Sequence, residues 1–405
     1  MVQEFKVITY NLDPRPIIIY GAGIFGEYTL RALEVHGLQP VCFCDRAKAG
    51  KEYLNYAVYD YKIIDKYQRP IVLLAAGALF HEIYQFLLEC GVKEVYSVYQ
   101  LVFEDTVLPM DRLSLQGQDI RYYRELYQFG MEYQEDADKF HMFSLDWVIT
   151  TKCSLRCREC SNLMQYYKDP QNMKKEQLQS ELKKVLEIVD GIMDVRVIGG
   201  EPFMHPQMAE IMEPFLDDPQ IHNFSIYTNA SILPNQKMLS VLKHPKVKCE
   251  ISDYGEIVKN FSQFVELMHK EGIRHRIVKM DEWHKLGKLA DRKSTEEGMR
   301  RIFENCYCND LITLLAGKIY RCPYSANGRL LDAIPYKEED VVDLNSGTVY
   351  YLRYKLRYLL FEKKFDFACG YCSGRNNHLG TVQPAEQAEQ PLDYLKYYDV
   401  CKEFD

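Results

Sequence analysis

The chain has 405 residues, 47% hydrophobic and 27% charged, the balance of a soluble globular protein; at roughly 150 residues per domain it suggests two or three domains. Fifty Lys and Arg against 58 Asp and Glu leave a net charge of −8, so a sequence-independent grip on nucleic acid or anionic membrane has no electrostatic footing. The best apolar run, Ile71 to Leu79, is about half of the ~20 residues that span a bilayer, and Met1–Tyr10 lacks a basic-then-apolar signal pattern; a cytoplasmic chain with no membrane or nucleic-acid partner is expected.

Thirteen cysteines, an odd number without a secretory signal, do not make a disulfide framework, and clustered cysteines in a reducing compartment point to metal. Cys42, Cys44, Cys90, Cys249 and Cys401 stand apart and read as small buried hydrophobes.

The first predicted unit covers residues 1–105. Pro16-Ile-Ile-Ile-Tyr-Gly-Ala-Gly-Ile-Phe-Gly26 reads as a buried strand, a glycine turn and the start of a helix running to about Val35. A strand at Pro40–Cys44 closes on Asp45; a strand at Ile71–Ala76, a helix at Leu79–Cys90 and a strand at Glu94–Val98 follow. This alternation predicts a Rossmann-like parallel sheet covered by helices. Gly21, Gly23 and Gly26 spell GxGxxG between strand and helix, and Asp45 stands where a ribose-binding carboxylate would. A nucleotide phosphate received by the helix amides is the functional reading; a module used for packing or dimerisation is the structural one. The stretch is similar to small GAGxxG domains at the start of sugar-nucleotide and capsule-biosynthesis proteins.

Residues 106–143, rich in Tyr and charge, predict a docked helical linker with a helix-forming patch at Ile120–Phe129. A second β/α series fills residues 144–300. Strands are predicted at Leu145–Thr150, Asp194–Ile198, Phe224–Thr228, Lys246–Ser252 and His275–Val278. Leu178, Leu182, Val185, Leu186 and Val189 share one helical face. Parallel strands with their loops at one end form an open barrel for an active site. The first of them runs into Cys153-Ser-Leu-Arg-Cys157-Arg-Glu-Cys160. Three thiolates so spaced can wrap one iron–sulfur cluster, leaving one iron of a cubane without a protein ligand; a structural zinc loop with a fourth ligand from elsewhere is the alternative. Another strand end carries Val197-Ile198-Gly199-Gly200-Glu201-Pro202. Its glycines admit a ligand close to the backbone, and a carboxylate can hold an ammonium group.

CxxxCxxC followed by GGEP resembles the radical S-adenosylmethionine (SAM) superfamily, with residues 144–300 as its core, a partial (β/α)6 barrel. The resemblance implies that Cys153, Cys157 and Cys160 bind a [4Fe–4S] cluster whose fourth iron is chelated by SAM. Gly199, Gly200, Glu201 and Pro202 would receive the SAM amino group. Reduction, by a flavodoxin- or ferredoxin-like partner, would cleave SAM to methionine and a 5′-deoxyadenosyl radical that abstracts hydrogen from the substrate. Tyr227-Thr228-Asn229-Ala230 sits where the family often has a TNG-like sequence, and Ser252 where a polar residue commonly touches the ribose; Ser252 as a turn cap is the alternative. Glu159 departs from the family, which usually has an apolar or aromatic residue near the adenine before the third cysteine.

Residues 301–405 predict a small α+β appendix, with a hairpin around Ala316–Lys318 and a helix near Val349–Phe361. Cys306 and Cys308 precede Gly317-Lys-Ile-Tyr-Arg-Cys322, and Cys369-Gly-Tyr-Cys372 follows. This pattern resembles the auxiliary-cluster region of radical SAM enzymes. Only Cys401 lies beyond Cys372, so the one-cluster Twitch form matches better than the longer SPASM form. The resemblance implies Cys306, Cys322, Cys369 and Cys372 as ligands of a second [4Fe–4S] cluster; Cys308 rivals Cys306, and structural zinc in the same thiolates is the alternative. His205, Asp253, Tyr254 and Arg375 are candidate bases near the site, though such a residue is more often a structural polar one. The expected fold is α/β throughout. The expected function is hydrogen abstraction from a sugar, sugar nucleotide or related polyol, for oxidation or epimerisation in polysaccharide or secondary metabolism. A peptide or protein maturase is one alternative, normally announced by a winged-helix-like N-terminal domain that the GAGxxG unit replaces; a non-catalytic metal-bearing binding module is another.

Overall fold

Short runs of Ile, Val and Leu set the first sheet. The computed structural model describes residues 2–77, 79–114, 119–132, 139–286, 289–375 and 380–396, so Cys401 lies outside the described residues. The chain divides into two units, Met1–Phe140 and His141–Asp405.

In the first unit the strands are β1 (Gln3–Glu4), β2 (Ile17–Tyr20), β3 (Cys42–Cys44), β4 (Glu52–Tyr53), β5 (Tyr56–Tyr59), β6 (Ile71–Leu74) and β7 (Val95–Ser97), ordered β1-β7-β6-β2-β3-β5-β4. All neighbours pair in parallel except the β4–β5 hairpin. β2 and β6 are buried along their whole length, as parallel strands covered on both faces must be. The helices are α1 (Val7–Leu12), α2 (Ile24–Val35), α3 (Phe80–Glu89), α4 (Tyr99–Phe103) and α5 (Ile120–Glu132). α5 falls in the segment read as a linker, and that segment gives Leu108, Leu113, Tyr123 and Tyr127 to the core of this unit. The Tyr127 hydroxyl donates to the Leu74 carbonyl at 2.6 Å and accepts from the Val98 amide at 3.2 Å. Cys42 and Cys44 are buried in β3, as expected, and so is Cys249 in the second unit. Cys90 corrects the expectation. It is exposed, because it caps the C-terminus of α3, whose buried face is carried by Phe80 and Leu87.

The second unit is built on five successive parallel strands, which follow the short β8 (His141–Met142): β9 (Leu145–Thr150), β10 (Gly191–Gly199), β11 (Ile221–Thr228), β12 (Val247–Asp253) and β13 (His275–Lys279). The crossovers carry α6 (Lys175–Ile188), α7 (Met208–Met212), α8 (Gln236–Leu242) and α9 (Phe261–Lys270). Leu178, Leu182, Val185 and Leu186 of α6 are buried together, as their spacing predicts. β14 (Trp283–His284) lies apart from this sheet, and α10 (Glu296–Glu304) follows. A sixth parallel strand, β15 (Thr313–Leu315), lies beside β9 rather than after β13. It turns through Ala316–Gly317 into the antiparallel β16 (Lys318–Tyr320), which pairs with β17 (Val341–Asp343). Residues from the expected appendix therefore extend the central sheet. α11 (Pro323–Leu330), α12 (Val349–Arg357) and β18 (Thr381–Val382) complete the unit, with β18 pairing antiparallel to β14. Among the described residues no helix is long and apolar enough to cross a membrane.

Candidate active site

The C-terminal ends of β9 to β12 open onto a cavity of about 290 Å³, lined by Cys153, Cys157, Cys160, Gly199, Gly200 and Asn229 among others. Parallel strands end here with their loops on one side, which is where such sheets place ligands. The cysteine loop leaves β9 and is fastened from two directions. Its start is pinned to β10: the Gly200 amide donates to the Thr150 carbonyl at 3.0 Å and the Glu201 amide to Lys152 at 2.8 Å. Only glycines fit there. A Cβ on Gly199 would stand 2.1 Å from the Thr150 oxygen and one on Gly200 2.0 Å from the Lys152 oxygen; Gly199 also takes φ +150°. The loop's middle is held by residues 385–389. The Gln387 side chain accepts from the Arg156 amide at 2.7 Å and donates to the Cys157 sulfur at 3.3 Å, while the Ala388 amide donates to the Arg156 carbonyl at 2.8 Å.

Glu201 and Pro202 stand behind the cavity wall, not among its lining residues. The Glu201 carboxylate is fully buried. It accepts from the Thr228 hydroxyl at 2.8 Å, the Asn229 amide at 2.8 Å and the Phe203 amide at 3.2 Å. Burial outweighs these bonds and raises its pKa to about 7. The carboxylate thereby locks the end of β11. Asn229, so placed, reaches the Ser154 hydroxyl at 3.1 Å and the Cys153 sulfur at 3.8 Å. Ala230 is left-handed at φ +60°. Ser252 lines the cavity, as does Tyr254 two residues on. Glu159 lines it too, its carboxylate accepting from the Leu286 amide at 2.7 Å.

Of the four candidate bases, Tyr254 and Arg375 line the cavity and His205 and Asp253 do not. Both His205 nitrogens are engaged: Nδ1 faces the Gln207 amide at 3.1 Å and Nε2 the Met173 carbonyl at 2.9 Å. An amide can only donate, so Nδ1 accepts and Nε2 carries the proton. Asp253 caps a turn by accepting from the Gly255 amide at 2.8 Å. Sequence reasoning missed Gln387, Trp283, His284 and Tyr307, which follow no motif.

Cys306, Cys308, Cys322, Cys369 and Cys372 line a second cavity, which encloses about 30 Å³ and leaves no room for an organic ligand. Backbone amides of Cys308, Ser325 and Gly374 point at the sulfurs of Cys306, Cys322 and Cys372 at 3.4, 3.4 and 3.3 Å. Cys308 hydrogen-bonds Cys306, which draws the Cys306 thiol down to about 6 and pushes Cys308 up. One apolar cluster, including Leu163, Tyr324 and Tyr371, packs against cysteines of both groups.

Among the described residues no three His, Cys, Asp or Glu side chains converge on a single metal ion. Thiolates of a cluster bind separate irons and need not converge on one point. The donor set at the first site is all thiol, with polar N–H groups aimed at sulfur and a glycine cradle beside it, and this fits an iron–sulfur centre with a ligand on its open iron. The second set is all thiol as well; among the described residues its sulfurs do not converge on one point, as a single zinc would require and a cluster does not.

In the first unit, β2, β3 and β6 end on a cavity of about 720 Å³ lined by Gly21, Gly23, Asp45, Arg46, Asp60 and Tyr61 among others. Gly21 and Gly26 are demanded by packing, since a Cβ would stand 2.3 Å from the Ala75 oxygen or 2.1 Å from the Gly21 oxygen; one on Gly23 would meet nothing. Asp45 accepts from the amides of Ala22, Ala47 and Lys48 at 3.0, 2.9 and 3.1 Å, which clamps the glycine turn.

Residues 147–251 match the family model described as the Radical SAM superfamily, so this chain carries a radical SAM domain. The family implies SAM and a [4Fe–4S] cluster as cofactors. Among solved structures, the chain is similar to Streptococcus suis SuiB bound to S-adenosylmethionine (15% identity, 49% of this chain, 44% of that chain, TM-score 0.29). It is also similar to anSMEcpe with bound AdoMet (13%, 65% and 95%, TM-score 0.36) and to BtrN in complex with AdoMet and 2-DOIA (14%, 62% and 98%, TM-score 0.38). The match spans less than half the length of SuiB.

Proposed function

We propose that the chain is a radical SAM enzyme that oxidises or epimerises a sugar, sugar nucleotide or related polyol. The observation that carries the chemistry is the gathering of three thiols, a glycine cradle, Asn229 and Ser252 around one cavity at the strand ends. When bound, the cluster and SAM supply a 5′-deoxyadenosyl radical that takes a hydrogen atom from the substrate. Cys153, Cys157 and Cys160 would hold the cluster. Burial raises all three thiols, Cys157 to about 12, so loading iron must expel their protons. Gly199 and Gly200 let the methionyl end of SAM approach the backbone, and Ser252 offers a hydroxyl to the ribose. Glu201 acts from behind by fixing Asn229, which in turn steadies Cys153 and Ser154. Tyr254, packed edge-on to Trp283 at 5.6 Å, screens the cavity from water.

Cys306, Cys322, Cys369 and Cys372 would hold a second [4Fe–4S] cluster, the amides directed at three of their sulfurs supporting Cys306 over Cys308. A centre there could accept the electron that an oxidation leaves on the substrate. The carbohydrate assignment is supported by the first unit, whose open Gly23 and large cavity suit a nucleotide. The setting is the reducing cytoplasm, where a flavodoxin- or ferredoxin-like reductant would serve. The test is anaerobic reconstitution followed by reduction with dithionite: the wild-type chain should convert SAM to methionine and 5′-deoxyadenosine, and Cys157→Ala should not. Absence of 5′-deoxyadenosine from the iron-loaded wild type would refute the reading.

A further inference from the structure

The partition between the two cysteine groups is one residue deep. Cys306 and Cys308 line the small cavity while Tyr307 between them lines the large one; likewise Cys372 and Gly374 line the small cavity and Arg375 the large one. The Tyr307 amide donates to the Arg375 carbonyl at 3.0 Å, which sets the two residues side by side. His284 extends this surface. Its ring centre lies 5.8 Å from that of Tyr307, and its buried Nδ1 has no hydrogen-bond partner among the described residues. The β14–β18 pairing and a bond from the Lys285 amide to the Gly380 carbonyl at 2.9 Å hold His284 in position. Among the described lining residues Arg375 is the one Lys or Arg. The strand-end residues Gly199, Gly200, Asn229 and Ser252 line it too, as do two carboxylates, Glu282 and Glu159, the latter engaged by the Leu286 amide at 2.7 Å.

We propose that Arg375 and His284 bind the substrate, and that the group they bind is an oxyanion, a phosphate or carboxylate on a hydroxylated carbon skeleton. This rests on the radical SAM reading of the cavity and narrows its substrate class. A half-buried guanidinium with a planar fork of donors matches such a group in two parallel bonds. His284 lines the cavity with the rest of its ring, its Nδ1 being shut off from that space, and so bounds the bound group beside the fork.

The test is calorimetric titration of the reconstituted, SAM-loaded chain with glucose 1-phosphate, glucuronate and glucose. At least one of the two anions should bind about tenfold or more tightly than glucose, and which one separates phosphate from carboxylate. Arg375→Gln should weaken that anion about tenfold or more, Arg375→Lys less, and His284→Phe about three- to tenfold, with glucose affected least. No preference for either anion over glucose, or an undiminished preference in Arg375→Gln, overturns the proposal. So does a matching fall in SAM affinity in Arg375→Gln, because the guanidinium would then serve SAM. Reductive cleavage of SAM by the wild-type chain tests the underlying reading separately, so the two failures are distinguishable.

Discussion

Glu201 illustrates how one side chain acts on a site it does not face. Three donors converge on its carboxylate. In Glu201→Gln the new NH2 group must meet one of them, at a cost of roughly 1–3 kcal/mol for an unmade buried bond. We expect SAM affinity to fall about tenfold with iron content unchanged, read by calorimetry and iron assay; loss of iron would contradict it. A pH dependence follows as well. The folded chain holds this proton up to about pH 7, against an ordinary value of 4.5. The contribution of the group to stability is therefore full below pH 4.5 and is lost as pH rises to about 7. Urea unfolding of wild type should weaken across that window relative to Glu201→Gln, and the two should run parallel above it. Ala230 offers the opposite kind of test. Its left-handed backbone costs a Cβ-bearing residue roughly 1–2 kcal/mol, so Ala230→Gly should raise the unfolding free energy by about 1 kcal/mol.

Between elements, precision comes from contacts that no motif announces. The cysteine spacing and the GGEP strand end were legible, because few residue types suit thiolate ligation or a Cβ-free approach. Gln387 was not, since it meets Cys157 from 230 residues away. Gly200 joins the two kinds of information: its Cβ would meet the Lys152 oxygen and stand 2.9 Å from Cys153 Cβ. Gly200→Ala should shift the loop and lower iron loading, whereas Gln387→Ala should spare loading and speed the loss of iron to a chelator. Further along, Arg329 of α11 lies buried between Asp340 and Asp366 at 2.7 and 3.0 Å. Removing one member of such a buried set costs about 3–5 kcal/mol. Arg329→Met should accordingly lower the melting temperature of the protein, and a change within error would show that the carboxylates find protons instead.

For the whole molecule, the division at Phe140 and His141 makes a claim about cooperativity. Gly26→Ala drives a Cβ to 2.1 Å from the Gly21 oxygen, and hydrogen exchange should quicken within residues 2–132 while the strands from β9 onward keep their protection. The two cysteine groups can be told apart by metal. A Cys153/Cys157/Cys160→Ala chain should retain about four irons after anaerobic reconstitution if the second group holds a cluster. Near-zero iron would assign those thiols to zinc or to nothing, and would favour redox-neutral chemistry at the first site.

By itself the sequence determined what depends on short range: strands from continuous apolar runs, α6 from its repeat, the glycine turns, and the residue types able to ligate iron. Tertiary structure decided what depends on convergence. It joined β15 to the open side of β9, sank Glu201 behind the wall it was expected to face, and engaged both nitrogens of His205. It also brought Arg375, Tyr307 and His284 to one surface. Those outcomes turn on which distant chain segment packs where, and burial and hydrogen-bond satisfaction are settled only when that packing is complete.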